Sequence, residues 1–231
     1  MSSSIQFGSK TIDFQLVYSK RKTLGITVTP DMEVIVKVPE HAPMEKVMQK
    51  VRKRAPWILK QQSFFLSFHP KTPPRRYISG ESHLYMGRQY QLSVKIGNKE
   101  TVKYRGAFIE VTARRKDRVE GLLRTWYKMH ASARFMEIAQ PLIGKFEKYG
   151  VSPSGLYLQE MPKRWGSCTP KGKIILNPDL IKAPKPCIEY VIVHELCHLV
   201  HHDHTQKFFD LQNKEMPDWA KRKERLEKIM V

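Results

Sequence analysis

Residues 191–204 read VIVHELCHLVHHDH and hold five of the chain's nine histidines. A segment this apolar belongs in a core, yet it carries groups that are costly to bury. That conflict restricts the fold more than any other feature of the sequence. Its apolar residues, extended upstream by Ile188, fit a helix from about Cys187 to His201, prepared by Pro184 and Pro186. On such a helix His194 and His198 lie at i and i+4 on one face, so both imidazoles can reach a single ion. Glu195 is turned only about 100° from His194 and can lean over the ion without ligating it. That is the geometry of a general base. A cation would also offset the cost of burying the carboxylate.

A metal centre that does chemistry needs a third protein ligand and one open position. His201 rises about 10 Å along the helix axis from His194, too far to share the ion, and His201 and His202 are read as its last, frayed turn. His204 is far enough beyond His198 for the chain to turn back, with Asp203 expected in the left-handed conformation such a turn requires. The ligand set is therefore read as His194, His198 and His204, with Glu215 or His202 as the fallback, and zinc as the ion. Tyr190 and Arg164 are both candidates to stabilise an oxyanion, and the sequence does not choose between them. Cys168 is a poor candidate nucleophile beside metal-activated water, and Cys197 reads as a small core filler.

Upstream the pattern is mostly strand. Residues 14–18, 25–29 and 33–38 read as strands around the basic turn 19–22 and the turn at Pro30-Asp31, with Val34, Val36 and Val38 on one face. Pro43 suits the first position of a helix whose apolar residues are Val47, Met48 and Val51, and Pro56 is expected to break or restart it. Residues 69–76, Pro-rich and basic, form the clearest linker. Strands are expected near 82–86, 90–96, 101–104 and 107–112, with hairpin turns at Gly87-Arg88, Gly97-Asn98 and Arg105-Gly106. A long helix follows from Asp117 to Pro141, where a kink or break is expected. A hairpin is expected over Trp165 to Asn177, and short helices near 206–214 and 218–230, with Asp218 as an N-cap. The edge at Trp165-Gly166-Ser167-Cys168 could receive an extended peptide, or Trp165 could simply pack under the hairpin with Gly166 allowing a close approach. No internal repeat is visible.

Charge divides the chain unequally. Residues 1–116 hold 22 Lys and Arg against 8 Asp and Glu, a net +14, while 117–231 hold 19 against 14, a net +5. A basic half of this kind suits a polyanion, with DNA or another nucleic acid the first candidate. Aromatics such as Trp57, Phe64, Phe65, Phe68 and Tyr77 lie among the basic clusters, as on a surface that neutralises phosphates and stacks bases. There is no apolar run of membrane-spanning length and no secretory pattern at the start, and three cysteines do not make a disulfide framework. No membrane partner and a cytoplasmic location are the corresponding expectations.

The block Arg164-Trp165-Gly166-Ser167-Cys168, then Ile175-Leu176-Asn177, then Tyr190 to Leu199, His204, Phe208 and Met216-Pro217-Asp218-Trp219 resembles the YgjP-like metallopeptidases. These are zincin-type proteins related to the SprT-like proteases, some of which cleave proteins crosslinked to DNA. The resemblance is closest over about residues 160–231 and looser over the first 115. It implies a zinc site of His194, His198 and His204 with Glu195 catalytic, and a protein or peptide as substrate. The expected fold is α+β, with a β-rich basic region over 1–115 and a helical, zincin-like metallopeptidase domain over 116–231.

Overall fold

The computed structural model describes residues 2–8, 10–21, 23–29, 31–66, 75–162 and 164–230. The expected 69–76 linker lies outside them up to residue 74, as do Phe68, Lys22 and Pro30 and the side chains of Phe64 and Phe65. The fold is α+β, and the chain divides into two compact units, Met1–Thr72 and Pro73–Val231.

In the first unit, β1 (Ser2–Phe7), β2 (Lys10–Ser19), β3 (Gly25–Val28) and β4 (Val34–Pro39) precede α1 (Met44–Leu66). The sheet order is β1-β2-β4-β3, with β2 and β4 parallel. Strand β1 has no apolar alternation to announce it, and pairing with β2 from Ser2–Gln15 to Phe7–Lys10 makes it a strand. Val34, Val36 and Val38 bury one face of β4 together with Ile12, Phe14 and Leu16 of β2. Val47, Val51, Ala55 and Ile58 recur at helical spacing on α1 and cover that face. Pro56 does not break the helix, contrary to expectation. It costs roughly 3 kcal/mol, but Ala55 and Ile58 beside it are wholly buried, and burying side chains of this kind offsets about that much.

The second unit begins with β5 (Ser82–Tyr85), β6 (Arg88–Ile96), β7 (Thr101–Arg105) and β8 (Phe108–Ala113), followed by α2 (Val119–Phe146). The order is β5-β6-β8-β7, with β6 and β8 parallel. Gly97-Asn98 is therefore not a hairpin turn, because β6 and β7 never pair. Leu92 of β6 and Ile109 and Val111 of β8 are buried in one core with Leu123 and Phe135 of α2, and the strand order puts β6 and β8 at the centre and β7 at the edge. The boundary expected at 115/116 falls between β8 and α2, inside this unit. Pro141 is exposed and α2 runs through it to the buried Phe146, so the expected break is absent here too. The two units thus repeat one topology, four strands in the same order and then a helix, although the sequence shows no repeat.

A third sheet is built from β9 (Gly155–Leu158), β10 (Gly166–Cys168) and β11 (Lys173–Leu176), in the order β10-β11-β9. The expected hairpin joins β10 to β11, and Gly172 closes it at φ 74°. Three helices end the chain: α3 (Lys185–Val200), α4 (Gln206–Glu215) and α5 (Trp219–Ile229). Asp218 stands at the N-cap of α5, but its carboxylate accepts from Arg222 Nε at 2.9 Å instead of capping the backbone. Among the described residues no helix is long and apolar enough to cross a membrane.

The β5–β6 turn fixes where α3 begins. Met86 and Gly87 donate backbone hydrogen bonds to Ile181 and Lys182 at 2.8 and 3.0 Å. Gly87 has φ +77°, and a Cβ there would lie 2.8 Å from the Cα of Pro184, the N-cap of α3. Gly87→Ala thus combines backbone strain with a clash against main chain. It is expected to cost about 2–4 kcal/mol, read as a lowered midpoint in denaturant titration.

Candidate metal centre

Helix α3 is buried on nearly all sides, with Ile188, Ile192, Leu196 and Cys197 fully enclosed. His194 and His198 emerge from it one turn apart, with ring centroids 5.0 Å from each other. The helix stops at Val200 because His201 is extended, at φ −131°. His201 is the C-cap, its N–H still donating to the Cys197 carbonyl at 2.9 Å as in a frayed last turn, and His202 lies beyond the helix. Asp203 is not left-handed: among described non-glycine residues only Met32, Tyr77 and Met86 have positive φ. The chain returns instead through bends at His202 and Asp203, with Thr205 N–H donating to the Asp203 carbonyl at 2.8 Å, and α4 then starts at Gln206.

That return brings His204 to the other two. The candidate ligand atoms of His194, His198 and His204 all lie within 4.8 Å of one another. His204 Nε2 and His194 Nε2 are 3.1 Å apart. Two nitrogens on one tetrahedral zinc would be about 3.3 Å apart, so the trio fits an ion of that size and geometry. Phe208, fully buried on α4, holds the group together, its ring 5.0, 4.6 and 4.8 Å from the rings of His194, His198 and His204.

The outward nitrogens are also set. His194 Nδ1 donates to Gln212 Oε1 at 2.9 Å, and His198 Nδ1 donates to the His201 carbonyl at 3.3 Å. With the Nδ1 atoms carrying the hydrogens, the Nε2 lone pairs are left for a metal. Burial pushes the His194 pKa down to about 4 and lowers that of His198, so both rings are neutral at pH 7, the form that ligates.

Glu195 is only 5% exposed, and burial raises its pKa to about 7 against the opposing pull of the Cys168 backbone and Arg164. Gly166 of β10 makes this packing possible, since a Cβ there would fall 2.5 Å from Glu195 Oε1. The close approach weighed for Gly166 is thus to the carboxylate. Trp165 is half-buried against the core, and its carbonyl accepts from Asn177 N–H at 2.9 Å. Glu195 and the three histidines share a cavity of about 470 Å³ with Arg164 and the 166–168 strand.

The fallback ligands stand apart. Glu215 accepts from Tyr149 Oη at 2.5 Å and pairs with Lys148 at 2.9 Å, and His202 lines the cavity outside the ligand group. Of the two oxyanion candidates, Arg164 lines the cavity, whereas Tyr190 does not line it and is buried with its ring 6.0 Å from that of His194 and 6.4 Å from that of Trp219. Burial raises the Cys168 thiol to about 11, which suits it poorly as a nucleophile. Gln212 is the residue that the sequence reading missed. A polar side chain four residues after Phe208 on the buried face of α4 was the available signal.

The chain belongs to the YgjP-like family: the model of its metallopeptidase domain matches residues 22–229, taking in most of the first unit as well as the second. No curated protein and no solved structure matches the chain.

Gln212→Leu would leave the buried Nδ1–H of His194 without an acceptor, a loss of about 1–3 kcal/mol. Metal retention in competition with a chelator is expected to weaken about 10- to 100-fold. Unchanged retention would mean that the amide does not orient the ring.

Proposed function

We propose that the protein is a zinc-dependent peptidase in which His194, His198 and His204 hold the ion and Glu195 is the catalytic base. The observation that carries this is the convergence of three imidazoles beside one buried carboxylate in a single cavity. Imidazole-only sets of three suit a catalytic zinc, which keeps its fourth position open. Bound zinc supplies Lewis acidity, making water more acidic and polarising a carbonyl.

The chain's own residues do the rest. Glu195 takes a proton from water and passes it to the leaving amine, which its enclosure from bulk solvent favours. Arg164, on the cavity wall, can donate to the oxyanion that develops on the scissile carbonyl. Strand β10 is an edge of its sheet, so an extended peptide can pair with its backbone beside Glu195. The substrate is accordingly a protein or peptide in extended form. The partner for the basic charge is read as nucleic acid, which would bring the peptidase to proteins bound there.

The rival reading is a structural zinc in a nucleic-acid-binding protein, which needs a fourth protein ligand. Cys168 and Glu215 are the residues to suspect, and neither belongs to the three-histidine group.

The deciding experiment is zinc content with proteolysis of an unfolded protein substrate. Wild type is expected to hold about one zinc per chain, and His204→Ala to lose most of it. Glu195→Gln should keep zinc and lose roughly 10²- to 10⁴-fold in turnover. Undiminished turnover in zinc-loaded Glu195→Gln would reject the peptidase reading. Gly166→Ala, which pushes Glu195 aside without touching a ligand, is expected to keep zinc and lower turnover, measured in the same assay.

A further inference from the structure

The first unit contains a groove of about 730 Å³ lined by Leu24 and Ile26, from the β3 side, and by Lys50, Lys53, Arg54 and Trp57 of α1. We infer that this groove binds single-stranded nucleic acid, with Trp57 stacking on a base and the three cations meeting the backbone phosphates. The inference locates the nucleic-acid partner read above, resting on that part of the reading and not on peptide hydrolysis.

Position on the helix makes the groove. Lys50, Lys53, Arg54 and Trp57 follow one another at i, i+3, i+4 and i+7, so they form a single stripe on one side of α1. All four are exposed, Trp57 by 38%. Among the described residues no acidic side chain lines the groove, and no ion pair or hydrogen bond neutralises the three cations. The unit as a whole agrees in sign, since residues 1–72 hold 12 Lys and Arg against 5 Asp and Glu. Cations flanking an accessible aromatic ring are the combination by which unpaired strands are held.

Other polyanions fit less well. A membrane-surface helix needs a free apolar face, but Val47, Val51, Ala55 and Ile58 spend that face on the sheet. An acidic peptide would use the cations and leave the ring and aliphatic floor idle. A duplex keeps its bases stacked inside, out of reach of Trp57.

The repeated topology supplies an internal contrast. At the matching junction of edge strand and helix in the second unit, Tyr104, Trp126 and His130 fill the space, with Trp126 and His130 rings only 4.1 Å apart and Tyr104 6.3 Å from Trp126. The same architecture is closed by aromatic packing in one unit and left open and cationic in the other.

The test is fluorescence anisotropy of the full chain with a labelled 20-nucleotide oligothymidine, a duplex of equal length, polyglutamate and phosphatidylserine vesicles at one salt concentration. Oligothymidine is expected to bind tightest. Trp57→Ala should weaken it roughly 5- to 100-fold and Trp57→Phe should recover most of that. Charge reversal of Lys50, Lys53 and Arg54 together should weaken it further and flatten the salt dependence by about two ions. Reversal of the exposed Lys95, Lys99 and Lys103 in the second unit should have a much smaller effect. If the groove and control reversals weaken binding equally, the groove is not the site, although nucleic acid remains the partner. Duplex binding as tight as single-strand binding would overturn the single-strand assignment, and preference for polyglutamate or vesicles would overturn the partner class. Absence of any oligothymidine binding would remove the nucleic-acid partner altogether while leaving the Glu195→Gln test of peptide hydrolysis untouched.

Discussion

Helix α3 must stay buried while carrying two imidazoles and a carboxylate, and much of the second unit is arranged around that requirement. A buried polar group is tolerable only with partners. His194 finds Gln212, His198 finds the carbonyl of His201, and Glu195 lies against the backbone of β10. Each partner comes from a different segment, so the site is complete only when α4, the 201–205 return and the β10–β11 hairpin are all docked. Phe208 packs against all three imidazoles. The cost of enclosing the polar groups is thereby converted into a preorganised cluster of imidazoles.

Around that helix two glycines mark the tightest contacts. Gly87 lets the β5–β6 turn press on Pro184 where α3 begins, and Gly166 lets β10 press on Glu195 near its middle. One contact fixes the helix along its length and the other fixes the carboxylate relative to β10. The four-strand sheet that supplies Gly87 has a counterpart in the first unit with the same strand order. In the second unit that architecture supports the site, and in the first it exposes a cationic groove. A single folding solution therefore serves two surfaces of different chemistry.

Much of the secondary structure could be read in advance because periodicity reports burial directly. The alternation of Val34, Val36 and Val38 gave β4, and the stripe from Val119 to Ile138 gave α2. Local rules failed where tertiary burial outweighed them. Pro56 and Pro141 sit inside continuous helices because the residues around them are held in cores. Gly97-Asn98 looked like a hairpin turn, but the demand to cover α2 with β6 and β8 sent β7 to the edge.

The sequence by itself determined the spacing of His194, Glu195 and His198 on a helix, since a helical period acts on neighbours and needs no distant contact. It also suggested His204, because only a residue beyond the helix end could return to the same point. Tertiary structure alone decided that Asp203 is not the left-handed hinge, that Gln212 faces His194, and that Gly166 rather than a larger residue adjoins Glu195. Those three depend on how separate elements dock. Docking is set by the packing of side chains far apart in the chain, which no local pattern encodes.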